Sequence, residues 1–165
     1  MVLHEKINIL NCFRVGEYPA LILGGHVDDE SQTTGKTQQL INLNVKVMVI
    51  DDSKTIRRSA ETLLKKVGCE VITAIDGFEA LAKITEHKPD IIFVDIMMPR
   101  LDGYQTCALI KNNQNFKATP VIMLSSKDSI FDRARGRIVG SEKYLTKPFS
   151  REDLINAITT HVGRG

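Results

Sequence analysis

A chain of 165 residues, 42% hydrophobic and 25% charged, can bury one full core and has little left for a second substantial domain. Its net charge of +2 is too small to argue for nucleic acid or an anionic membrane as the partner, since a binding footprint there needs a concentrated basic face. Cys12, Cys69 and Cys107 are odd in number, widely spaced and free of a CxxC pattern, so disulfide and zinc frameworks are both disfavoured and a reducing cytoplasm fits.

In chain order, residues 1–44 read as an N-terminal extension that need not be ordered, with an apolar start over Ile7 to Leu23 and a polar linker through Asn44. The stretch Tyr18 to Leu23 follows acidic Glu17 and is too short for a signal-peptide core or a membrane span, so neither export nor membrane insertion is expected. The apolar half either pairs with something or is extra sequence ahead of the true translation start. No methionine lies between Met1 and Met48, so a shorter form would need a non-Met start codon. Thr34-Gly35-Lys36-Thr37 has the ending of a phosphate-binding loop, but the glycine required five residues before Gly35 is Glu30 and no helix pattern follows.

From Val45 onward, strands and helices alternate as in repeated βα units of a doubly wound parallel sheet, and five such units fill residues 45 to 163. The apolar run Val45 to Ile50 is the first strand. A helix follows from an N-cap at Ser53, with Ile56, Ala60, Leu63, Leu64 and Val67 inward, basic Arg57, Arg58, Lys65 and Lys66 outward, and Gly68 as its stop. The second strand is Glu70 to Ala74, and its helix runs from about Gly77 to His87 with Phe78, Leu81 and Ile84 inward. Ile91 to Val94 forms the third strand, closed by Asp95. Pro99 and Gly103 punctuate a loop before a helix around Tyr104 to Asn112. A polar segment leads to the fourth strand, Val121 to Leu124, closed by Ser125 and Ser126. Ser129 to Val139 reads as the fourth helix, Lys143 to Leu145 as the fifth strand, and Arg151 to His161 as a closing helix with Leu154, Ile155, Ile158 and Val162 inward. His87 and His161 stand near helix C-termini, the favourable end of the helix dipole.

The chemistry concentrates at strand ends. Asp51 and Asp52 follow the first strand, Asp95 closes the third, and Lys147 follows the fifth. In an open α/β sheet the carboxyl ends of the strands meet at one crevice, so three carboxylates and an ammonium would share it. Clustered carboxylates repel unless a cation sits among them, and hard oxygen ligands suit Mg²⁺. Such a site is built for a phosphoryl group. Each member alone has a plainer reading: Asp-Asp as a helix-capping turn, Lys147 as an exposed lysine, Ser125 as a strand-end cap, Tyr144 as edge packing. Arg133, Arg135 and Arg137 read as a solvated face, with an acidic partner groove as the sharper alternative. Only the constellation promotes the Asp pair, Lys147 and Ser125; for Tyr144 edge packing stays open beside a switch role.

Five fragments in order carry a resemblance: Val49-Ile50-Asp51-Asp52-Ser53, Val94-Asp95-Ile96-Met97-Met98-Pro99, Leu101-Asp102-Gly103-Tyr104, Met123-Leu124-Ser125-Ser126 and Tyr144-Leu145-Thr146-Lys147-Pro148-Phe149. Together they resemble the receiver domain of two-component response regulators, over residues 45 to 163. The runs Lys54 to Arg58, Ile92 to Cys107 and Gly136 to Ser141 look like a narrower subgroup, the stand-alone receivers of chemotaxis-like systems that control type IV pili and twitching motility.

The resemblance implies a flavodoxin-like, CheY-like fold over residues 45–165 with strand order 2-1-3-4-5. It implies that Asp95 accepts a phosphoryl group from a phosphohistidine on a histidine kinase or histidine phosphotransfer domain, since none of the four His residues here occupies a motif position. Asp52, Asp95 and the main-chain carbonyl of Met97 would hold Mg²⁺, Asp51 would act mainly through a bound water, and Lys147, aimed by a cis bond to Pro148, would grip a phosphoryl oxygen. Ser125 and Tyr144 would be the switch: the hydroxyl moves to the phosphoryl group and Tyr144 rotates inward from solvent, reshaping the face of the fourth helix, fifth strand and fifth helix. Met97 and Lys127, two residues beyond Asp95 and Ser125, would flank the path of hydrolytic water; neither matches a water-orienting acid, which implies slow autodephosphorylation.

With the domain closing at Gly165, output is expected by contact with a motility or pilus effector protein. An alternative is a phosphate sink or relay receiver without its own effector. A phosphohydrolase with an aspartyl nucleophile ranks last, because the second acid it wants two residues on is Met97.

Overall fold

The computed structural model describes residues 42–126 and 130–162. The extension over 1–41 with Cys12, Lys127, Ser129 and the last three residues lie outside them. The elements run β1 Lys46–Ile50, α1 Lys54–Lys65, β2 Glu70–Ala74, α2 Gly77–His87, β3 Ile91–Asp95, α3 Gly103–Asn112, β4 Val121–Ser125, α4 Ile130–Ile138, β5 Lys143–Thr146 and α5 Arg151–His161. All strand pairs are parallel, in the order β2-β1-β3-β4-β5. The expected doubly wound, flavodoxin-like sheet is therefore present, and its boundaries fall within a residue or so of those read from the sequence.

Central and edge strands differ as a sheet covered on both faces requires. Every residue of β3 and β4 is buried, as are Val47 to Ile50 of β1, whereas edge strands β2 and β5 keep exposed positions. Met48, Ile50, Ile92, Val94, Val121 and Met123 pack against Ala80 and Ile84 of α2 and Cys107 and Ile110 of α3. Alternate strand residues point to the opposite face. There α1 and α5 meet, burying Ala60, Leu64, Leu154 and Ile158. Burying each large side chain of this kind contributes about 1.5–3 kcal/mol.

Local signals set the helix ends. Ser53, Asp76, Asp102 and Ser150 cap their helices with side-chain oxygens, and Asp102/Gln105 and Ser150/Asp153 complete capping boxes. Past α1 the chain turns at Gly68 with φ +78°, a conformation that favours glycine. His87 and His161 are the last residues of α2 and α5, as expected.

One inward expectation fails. Phe78 is 55% exposed, while Ala80 and Ile84 supply the buried face of α2 and Leu81 is half-buried. Phe78 lies in the first turn, and its ring instead lies beneath the Arg100 guanidinium, 5.4 Å from the ring centroid. Among the described residues, no helix is long and apolar enough to cross a membrane.

Candidate functional site

Strand register brings the predicted residues together. Ile50 of β1 pairs with Val94 of β3, so the next residues, Asp51 and Asp95, emerge side by side. Ser125 pairs with Thr146, which leaves Lys147 one residue past the end of β5 on the same rim. Carboxylate oxygens of Asp51, Asp52 and Asp95 all lie within 4.8 Å of one another. Lys147 Nζ donates to Asp51 Oδ2 at 2.7 Å and to Asp95 Oδ1 at 3.0 Å. The Lys147–Pro148 bond is cis, as the resemblance implied.

Burial grades the three acids. Asp51 is fully buried and Asp95 is 5% exposed, while Asp52 stands in solvent at the mouth. Burial pushes the Asp95 carboxyl above its ordinary range, the Asp51 charge adds to this, and the Lys147 ammonium works against both. For Lys147 burial disfavours the charge, but its bonds to Asp51 and Asp95 outweigh that and raise its pKa. Hard oxygens in a compact cluster, open on the Asp52 side, suit Mg²⁺, and the ammonium beside them suits an anionic phosphoryl group.

Ser125 is buried at the end of β4, and its carbonyl accepts the Lys147 N–H at 2.6 Å. Tyr144 is half-buried on β5, packed against the core cluster with the Arg133 guanidinium over its ring. Met97 follows Asp95 by two residues; its backbone bonds the Asp95 carboxylate, and its side chain is 73% exposed. A cleft of about 410 Å³ opens beside it, with Asp52, Met97, Asp102, Tyr104, Asp132 and Arg135 in its lining.

Three participants had no individual signal in the sequence. Arg57 donates to the Asp51 carbonyl at 2.6 Å and, with the Ser53 N–H on Asp51 Oδ1 at 2.8 Å, holds the β1–α1 turn. Arg100, at φ +66°, pairs with Asp76 at 2.6 Å and so ties the β3–α3 loop to the start of α2. Tyr104 is buried and joins α3 to α4 through Asp132. In the sequence Arg57 reads only as part of a basic outer face. Arg133 and Arg135 are exposed as expected of a solvated face, yet both stack on tyrosine rings.

Comparison with known proteins gives consistent matches. The model of the response regulator receiver domain matches residues 47–159. Protein PilG of Pseudomonas aeruginosa is 80% identical over 118 residues, covering 72% of this chain and 87% of that protein. The alkaline phosphatase synthesis transcriptional regulatory protein PhoP of Bacillus subtilis is 40% identical over 112 residues, 68% of this chain but only 46% of PhoP. Among solved structures, the chemotaxis protein CheY4 of Vibrio cholerae superposes with a TM-score of 0.69 at 34% identity, covering 72% of this chain and 99% of that one. The receiver domain of sensor histidine kinase PA1611 from Pseudomonas aeruginosa, solved with a magnesium ion in its active site cleft, gives 0.68 at 27% identity, covering 73% of this chain and 98% of that one.

Proposed function

The chain belongs to the response regulator receiver domain family, and from that premise we propose that it is a phospho-acceptor of a chemosensory phosphorelay with Asp95 as the acceptor. The observation that carries the reading is the convergence of three carboxylates within 4.8 Å, with Lys147 bonded to two of them. The partner would be a histidine kinase or histidine phosphotransfer domain. An Asp95 carboxylate oxygen forms a bond to phosphorus as the bond from phosphorus to the donor imidazole nitrogen breaks, and the electron pair leaves with the imidazole. A carboxylate is a weak nucleophile, so the site's contribution is positioning and charge compensation.

Asp51, Asp52, Asp95 and the Met97 carbonyl would hold Mg²⁺, which when bound offsets charge on the phosphoryl oxygens. Lys147 supplies the second cation and, with Asp51 at 2.7 Å, stays aimed across the crevice. Ser125 and Tyr144 form the switch: the buried hydroxyl reorients toward the phosphoryl group and Tyr144 moves further into the space it vacates. The receiver would span residues 45–165 with 1–44 as an appended segment. The cytoplasm is the location that fits, since the donor histidine draws its phosphate from ATP.

Identity of 80% to PilG supports a role in type IV pilus function and twitching motility, exerted through phosphorylation-dependent contact with a motility protein. Ile130, Phe131 and Ile138, exposed on α4, favour such an effector over a phosphate sink. Incubation with acetyl phosphate and Mg²⁺ followed by intact-mass measurement tests the chemistry. One phosphoryl adduct is expected in the wild type and none in Asp95→Asn or after chelation. An adduct that survives either change would move the acceptor elsewhere.

A further inference from the structure

We propose that α4 is a detachable helix, clasped onto the domain by two arginine–tyrosine stacks, and that Tyr104 is the positioning residue that ties it to the end of β3. Of the nine residues of α4 only Gly136 is buried. Ile130, Phe131 and Ile138 are 84%, 85% and 84% exposed, where a helix held by apolar burial would turn them inward. Val139, just past its end, is the nearest apolar residue packed on the core.

Directional contacts hold the helix instead. The Arg135 guanidinium lies 4.4 Å from the centroid of the Tyr104 ring, and that of Arg133 lies 5.7 Å from the Tyr144 ring. The Tyr104 hydroxyl donates to Asp132 Oδ1 at 3.1 Å and reaches the Asp132 carbonyl at 3.3 Å. Tyr104 itself is anchored, because it is 4% exposed and follows Gly103, whose N–H donates to the Ile96 carbonyl at 3.0 Å. A Cβ on Gly103 would collide with the Asp95 carbonyl oxygen, so the first turn of α3 rests on the backbone of β3. Tyr104 thus links the end of β3 to α4, beside the link that Arg133 makes to Tyr144. Elements with little buried surface and few contacts open locally before the rest of a domain, and α4 meets that description.

Amide hydrogen exchange on the full chain tests this. Tyr104→Phe keeps the ring and its packing but deletes the hydroxyl, and Arg135→Gln deletes a charge at an exposed position. The expected result is about tenfold faster exchange across α4 in Tyr104→Phe, the scale of one charge-assisted hydrogen bond, and about two- to fivefold in Arg135→Gln, the scale of an exposed cation–π contact, with β1, β3 and β4 as protected as in the wild type. Arg135→Lys, which keeps a cation for the ring, should restore most of the protection. Were Tyr104 merely a packing residue, Tyr104→Phe would be silent. Unchanged α4 exchange in both variants, or a rise spread evenly over the sheet, overturns the proposal.

Discussion

Lys147 keeps its charge although burial disfavours it, because Asp51 and Asp95 each accept one of its hydrogens. The same burial raises the Asp95 carboxyl, so ammonium and carboxylate depend on one another. These groups were legible in the sequence, since each follows a short, β-branched or aromatic-rich apolar run bounded by turn signals, which reads as a strand. Arg57 and Tyr104 were not: one acts through a backbone carbonyl and the other through a residue on a different helix, and neither contact leaves a local pattern. Met97 belongs at this scale too. Its thioether, 73% exposed beside Asp95, cannot orient a water by hydrogen bonding as an amide can. Met97→Asn should therefore hasten loss of the phosphoryl group by about 1 kcal/mol, or about fivefold. The decay of the adduct in purified protein, followed by intact mass, checks it.

Elements were readable where local signals decide them. Ser53 before α1, Asp76 before α2 and Ser150 before α5 each cap a helix whose start a reader can place from the chain. Position within a helix was less certain, as Phe78 shows: helical spacing put it inward, but it lies in the first turn of α2, under Arg100 rather than on the sheet. For α3 the decisive fact is its closeness to β3. A Cβ at Gly103 would come to 2.8 Å from Ile96 Cα and closer still to the Asp95 carbonyl, and backbone atoms cannot move aside. Helix propensity favours alanine over glycine by about 1 kcal/mol, whereas overpacking costs about 1–3 kcal/mol. Gly103→Ala should therefore lower the urea midpoint despite the better helix former, and slow phosphorylation from acetyl phosphate by disturbing Asp95. A raised midpoint would show that α3 is free to shift away.

Across the whole domain, burial makes stability depend on alkaline pH. The thiols of Cys69 and Cys107 are each pushed up to about 11 from 9.0, mainly by burial. In the unfolded chain they ionise near 9, so the folded state holds more protons above that pH. Their contribution is complete below pH 9 and is lost as pH rises toward 11, on the order of 2–3 kcal/mol per thiol. Urea unfolding at pH 8 and pH 10.5 should show this loss, and the Cys69→Ala/Cys107→Ala variant should lose less between the two. Equal losses would mean that the thiols do not sense the fold. The alternation of strands and helices, their caps and the charged residues at the ends of β1, β3 and β5 were determined by the sequence alone, because each depends on neighbours within a few positions. Only the tertiary structure decided that Asp51 and Lys147, 96 residues apart, share a hydrogen bond, and that Tyr104 holds Asp132 from 28 residues away. Parallel register places strand ends on one rim, and helix packing chooses which aromatic ring an arginine finds; neither is a local property of the chain.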